Sequence, residues 1–110
     1  MPILLLMLAC HREQPAFGNA ERGKQLVSQY GCNVCHVVPG IEGPRGMIGP
    51  SLEHVASRPR LSNDTFANTP ENVARFVQTP VSLNPASSMP PLNIPPDDAR
   101  DLTAYLMTLR

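Results

Sequence analysis

The chain reads as an all-α domain with long Gly/Pro-rich loops, and three observations predict it. Apolar residues recur at helical spacing in three separated stretches, no stretch alternates apolar and polar as a half-buried strand would, and Gly and Pro punctuate the intervening sequence. Asn19 is placed to cap a helix over about 20–30, whose Ala20, Gly23, Val27 and Tyr30 share one face. A second helix starts at Thr69, with Pro70 in its first turn and Glu71 at its positive end, and stops before Pro80; Val73, Phe76 and Val77 face inward. The third begins near Pro96 with Asp97 and Asp98 in its first turn, carries Ala99, Leu102, Leu106 and Leu109 as a stripe, and runs to residue 110. The first and last stripes match, and Gly23 lets the two backbones approach near Tyr105, so these helices are expected to cross. Residues 51–57 are expected to add a short helix. The rest of 37–68 reads as loop, and six prolines stiffen 80–96.

A chain of 110 residues has room for one compact unit. Nine Lys plus Arg balance nine Asp plus Glu, which excludes a nucleic-acid footprint and strong long-range steering toward a charged partner. Lys24 is the single lysine, so no lysine ring for an acidic partner can be assembled, and contacts with partners are expected to be apolar and short-ranged. The core is thin, with three Phe and no Trp. Domains of this kind usually need a staple, and helices separated by long loops pack compactly only around a large apolar body. A buried cofactor would supply that body.

Residues 1–9 are a short apolar run, read as a leader and excluded from the fold. A bilayer span takes about 20 apolar residues, so a retained membrane helix is not expected here. The L-M-L-A-C ending looks like a bacterial lipoprotein cleavage box in which Cys10 becomes a lipidated N-terminus; otherwise Cys10 is an odd, unpaired thiol. The resulting division is a leader at 1–9, a tether at 10–18 and a folded domain at 19–110.

Directly after the first helix, G-C-N-V-C-H puts Cys32, Cys35 and His36 in the C-x-x-C-H pattern of covalent haem c attachment. Thiols three positions apart lie on one helical turn, within reach of the two vinyl groups of one haem, and the next residue offers an imidazole to the iron. Two other chemistries use paired cysteines. Structural zinc needs a fourth ligand, for which only His54, His11 and Cys10 remain, none in a second paired spacing. A thioredoxin-like dithiol needs a preceding strand, where this chain has a helix.

If His36 is one axial ligand, the other comes from Met47, Met89, Met107, His54 or His11. Met89 is favoured because it stands in S-S-M-P-P, where a restricted backbone can hold a weak thioether donor in place. Met107, late in the last helix, reads as packing, and His11 lies on the tail. A histidine ligand usually donates its other ring N–H to an acceptor, and the Pro50 carbonyl, after Gly49, is the candidate. Arg45, Arg58 and Arg60 are available to haem propionates, and His54 reads as a surface residue.

In order and spacing, residues 18–110 resemble the class I cytochromes c: a helix with Gly23, then G-C-N-V-C-H, G-P at 49–50, M-P at 89–90 and A-Y-L at 104–106. G-P-S-L-E-H-V-A-S-R, with N-T-P-E-N and the closing M-P, is similar more narrowly to the cytochrome c domain on subunit II of some bacterial haem-copper (caa3-type) oxidases. The resemblance implies the cytochrome c fold with crossing terminal helices around one haem, His36 and Met89 as axial ligands, and the Pro50 carbonyl as acceptor for His36. Two departures matter. The chain has no residues for the dicopper centre of subunit II, so a related protein would be a separate carrier. Many relatives have Trp where Phe76 stands, which removes an indole hydrogen bond to a propionate.

The expected function is that of a single-haem electron carrier, not an enzyme, in a bacterial respiratory chain, exchanging electrons with an oxidase or a quinol-oxidising complex. Haem c attachment implies an oxidising compartment, hence a periplasmic or other extracytoplasmic location, with membrane anchoring if Cys10 is lipidated. The alternatives are a haem-based gas sensor or peroxidase-like protein with a displaceable Met89, and a subunit whose haem only staples the fold.

Overall fold

A computed structural model of the chain describes residues 17–110, so the leader, Cys10 and His11 lie outside the described residues. Five helices follow in order: α1 (Ala20–Gln29), α2 (Cys32–Cys35), α3 (Pro70–Gln78), α4 (Pro80–Leu83) and α5 (Pro96–Leu106). The Asn19 side chain accepts from the Arg22 N–H at 2.9 Å and so starts α1. Thr69 does the same for α3, accepting from Asn72 N–H at 3.2 Å ahead of Pro70.

The expected crossing is present: α1 packs on α5, and α5 also packs on α3. A Cβ on Gly23 would lie 1.9 Å from the Asp101 carbonyl oxygen and 3.0 Å from Tyr105 Cβ, so a side chain there would hold the helices apart. Beside this contact Arg22 bridges Asp98 at 2.6 Å and Asp101 at 2.7 Å, while the Tyr30 hydroxyl donates to Asp98 at 2.6 Å. Val27, Ala99 and Leu102 are sealed from solvent at the crossing, and Val73, Val77, Phe66 and Ile94 continue the core beneath α3. Phe76 is half-buried, with its ring 5.1 Å from Phe66. Packing begins ahead of α1, where Phe17 lies against the core with the Arg100 guanidinium 4.5 Å above its ring.

The architecture departs from the sequence reading in four places. The last helix stops at Leu106, because the Tyr105 carbonyl that the next turn would need is taken by the Thr108 N–H and hydroxyl. The final residues instead fold back, with Ala56 N–H donating to the Leu109 carbonyl at 2.9 Å. A small antiparallel pair, β1 (Arg60–Leu61) with β2 (Phe66–Ala67), interrupts the expected loop. Two-residue strands are too short to show alternation, and their connection relies on left-handed Ser62, Asn63 and Asp64. Residues 51–57 give only a 3₁₀ turn at Val55–Ser57. Finally, Pro80 opens the four-residue α4, since proline at the first helical position costs no hydrogen bond.

Candidate haem attachment site

The site begins where α1 ends. Gly31 adopts a left-handed conformation with φ of 71°, and its carbonyl accepts from Val34 N–H at 2.9 Å, so the chain restarts at once as α2. Cys32 and Cys35 therefore occupy one turn, closed by the His36 N–H to Cys32 carbonyl bond at 2.9 Å. His36 itself is extended, with φ of −116° and ψ of 149°, which swings the imidazole out of the helical path. Both thiols are free and half-buried, and burial pushes the Cys32 thiol up, the mark of surroundings suited to a neutral sulfur such as a thioether.

Residues 43–50 are clamped against this turn from end to end. Gly46 N–H donates to the Asn33 carbonyl at 3.0 Å, Asn33 Nδ2 donates to the Pro44 carbonyl at 3.1 Å, and Gly49 N–H donates to the Cys35 carbonyl at 2.8 Å. The next contact fixes the ring: His36 Nδ1 lies 2.6 Å from the Pro50 carbonyl oxygen. A carbonyl can only accept, so Nδ1 donates in this bond, which leaves Nε2 as the ring nitrogen that could meet a metal. Gly49 forms the wall of this cradle, since a Cβ there would sit 2.3 Å from His36 Cε1. Asn33, buried at 5% exposure, is a positioning residue that reading the motif as C-x-x-C-H passes over. A polar side chain in a variable position of that motif was the available signal.

Met89 stands on a different element, the loop between α4 and α5, and is half-buried. Its N–H donates to Ser87 Oγ at 3.3 Å. Buried Asn84 fixes the start of the loop, donating to Ser62 Oγ at 2.8 Å and accepting from Ala86 N–H at 3.1 Å, while Gln78 Nε2 donates to the Ile94 carbonyl at 3.2 Å near its end. The prolines are thus joined by side-chain ties to β1–β2 and α3, which spacing alone does not reveal.

The remaining candidates lie elsewhere. Met47 is 91% exposed, and Met107 packs against the core just past the end of α5. His54 is exposed and donates through Nδ1 to the Arg110 carbonyl at 2.9 Å. Arg58 donates through Nη2 to the Ser51 and Glu53 carbonyls, and Arg60 through Nε to that of Asp64. Among the described residues no three His, Cys, Asp or Glu side chains converge as a metal site. Two thiols on one turn, an imidazole anchored through Nδ1 and a glycine-walled cradle do fit a covalently attached haem.

The chain belongs to the cytochrome c family, whose model matches residues 20–110. Its cofactor is accordingly a covalently bound c-type haem, with Cys32 and Cys35 in the attachment positions, and it is an electron-transfer protein rather than an enzyme. The fold is similar to the solved structure of cytochrome c2 from Rhodobacter capsulatus, with a TM-score of 0.60, 22% identity, and coverage of 81% of this chain and 96% of that one. No curated protein matches the chain by sequence.

Proposed function

We propose that the protein is a one-electron carrier of a bacterial respiratory chain, working on the extracytoplasmic side of a membrane and exchanging electrons with an oxidase or a quinol-oxidising complex. In this reading residues 1–9 are removed as a leader, lipidated Cys10 tethers residues 10–18 to the membrane, and residues 19–110 carry the electron. The narrower likeness of G-P-S-L-E-H-V-A-S-R to the cytochrome c domain of oxidase subunit II supports an oxidase as acceptor.

The haem, when bound, supplies an iron that cycles between the ferric and ferrous states. Cys32 and Cys35 would hold it through thioethers, and His36 and Met89 would be the two residues that ligate its iron. The observation that carries this assignment is the bond from His36 Nδ1 to the Pro50 carbonyl at 2.6 Å, which leaves Nε2 as the ring nitrogen that could meet a metal. Around Met89, the prolines and the Asn84 and Gln78 ties restrain the loop backbone, which supports a ligand that would need little rearrangement between oxidation states.

The test is the visible spectrum, oxidised and reduced, of the wild type and Met89→Ala, both matured in an exporting host with haem c machinery. The wild type is expected to show low-spin haem c with the weak long-wavelength band of ferric iron–sulfur ligation, and the variant to lose that band and bind carbon monoxide. An unchanged variant spectrum would remove Met89 as ligand, and rapid carbon monoxide binding to the reduced wild type at neutral pH would favour a gas sensor. Mass spectrometry of the native N-terminus decides the tether: a lipid-free Met1 sinks the lipoprotein reading.

A further inference from the structure

The 43–50 loop brings the Pro50 carbonyl to the His36 ring, yet little of it is buried: residues 42–45, 47, 48 and 50 are all exposed. Apolar contact therefore does little to hold it, and a segment held by few bonds opens locally at low cost. Its backbone is fastened to the haem attachment turn at Gly46, which donates to the Asn33 carbonyl, and at Gly49, which donates to the Cys35 carbonyl. Among the described residues, the one side chain besides His36 that hydrogen-bonds to this loop is Asn33, whose Nδ2 donates to the Pro44 carbonyl at 3.1 Å. Asn33 is buried although it stands in a variable position of the attachment motif, and a buried amide is tolerated where its hydrogen bonds are made.

We infer that Asn33 is a positioning residue for electron transfer: by holding the start of the 43–50 loop on the attachment turn, its side chain keeps the Pro50 carbonyl on His36 Nδ1 and so sets the midpoint potential. This rests on the reading of His36 as an axial ligand and names a residue that tunes it. Asn33 grips the loop twice, through its amide at Pro44 and its carbonyl at Gly46. The Gly49 bond alone does not replace that grip, because one fixed point leaves the chain before Pro50 free to swing about it. The acceptor acts on the ring. A carbonyl held close to Nδ1–H raises the basicity of the imidazole, and a more basic ligand favours the ferric state and lowers the potential. A looser loop does the reverse, with no bond to the ring made or broken and no proton leaving it.

The experiment compares the holoprotein of wild type, Asn33→Leu and Asn33→Ala with Gly23→Ala, a control that disturbs the α1–α5 crossing instead of the loop. Midpoint potentials are read by spectroelectrochemical titration, and hydrogen exchange of the His36 Nδ1–H and Gly46 N–H by NMR of the reduced protein. Both Asn33 variants are expected to have a higher potential than the wild type and to exchange the His36 proton about fivefold to tenfold faster, as the loss of one hydrogen bond does. Gly23→Ala keeps the wild-type potential whatever its thermal midpoint. Unchanged potentials in both Asn33 variants, or the same upward shift in Gly23→Ala, would overturn the inference. The wild type supplies a test that needs no Asn33 variant to mature: one opening of the loop should free both protons, so they are expected to share one opening free energy. A His36 proton that stays protected while Gly46 exchanges would overturn the inference by itself. Paramagnetic shifts of the oxidised wild type keep the two readings apart. If the His36 ring protons show none, His36 is not a ligand and both readings fall; if they are shifted but the potentials do not move, the role of Asn33 alone fails.

Discussion

At the scale of single residues, the attachment site depends on contacts too close to tolerate an added atom. Gly49→Ala puts a methyl group where His36 Cε1 already lies, so the ring must turn away from the Pro50 carbonyl. We expect this variant to mature with less haem and to lose low-spin character, read from the ratio of haem absorbance to protein and from the ferric spectrum. A different residue carries a cost that can be relieved. Thr103 is fully buried on α5, and its hydroxyl has no hydrogen-bond partner among the described residues. Thr103→Val keeps the shape and removes the unpaired group, and is expected to stabilise the protein by about 1 kcal/mol in denaturant unfolding.

Between elements, the crossing of α1 on α5 is set by Gly23 and latched by its polar neighbours. Gly23→Ala drives a Cβ into the Asp101 carbonyl; displacing the helices to admit it is expected to cost at least about 1–3 kcal/mol, measured as a lower thermal midpoint with the haem spectrum retained. The latch is pH-dependent. The Tyr30 hydroxyl, then Arg22, hold the Asp98 carboxyl below the usual carboxylate range, and the Asn19 N–H, then Arg22, do the same for Asp101. A lowered folded-state pKa means stability that is present above the unfolded value of about 3.9 and is lost as pH falls through the lower folded value. Tyr30 is shifted upward by donating to Asp98, so its contribution is present below about pH 10 and is lost as pH rises through its folded value. Asp98→Asn is therefore expected to lower the midpoint at neutral pH, flatten the acid limb of the stability curve, and let Tyr30 ionise at lower pH in an ultraviolet titration.

On the scale of the whole molecule, the protein contribution to the core is small: buried side chains gather along α1, α3 and α5, while long connections carry much of the chain. Such a chain depends on its haem as other small domains depend on a metal or a disulfide. Cys32→Ala/Cys35→Ala, which cannot attach haem covalently, is expected to lose the cooperative thermal transition seen by circular dichroism in the holoprotein. A sharp transition at the wild-type midpoint would show that the polypeptide alone suffices.

The amino-acid order determined the parts of this protein that are local in the chain. Helix starts at Asn19, Thr69 and Pro96 follow from residues within one turn of each cap, and C-x-x-C-H names its chemistry because two thiols three apart must share a turn. Gly23 was also legible, since one glycine in an apolar stripe facing a second stripe has a geometric reason. Contacts between segments far apart in sequence were decided only when the chain folded. The bond from Ala56 N–H to the Leu109 carbonyl, which receives the last residues, and the clamp from Asn33 to the 43–50 loop join positions that no periodicity links. The same holds for the tie from Asn84 to Ser62 and for the ion pairs of Arg22 with α5. Periodicity and caps report the environment of a residue within its own element; hydrogen bonds across the fold depend on which loop lands where, and that is fixed by tertiary packing.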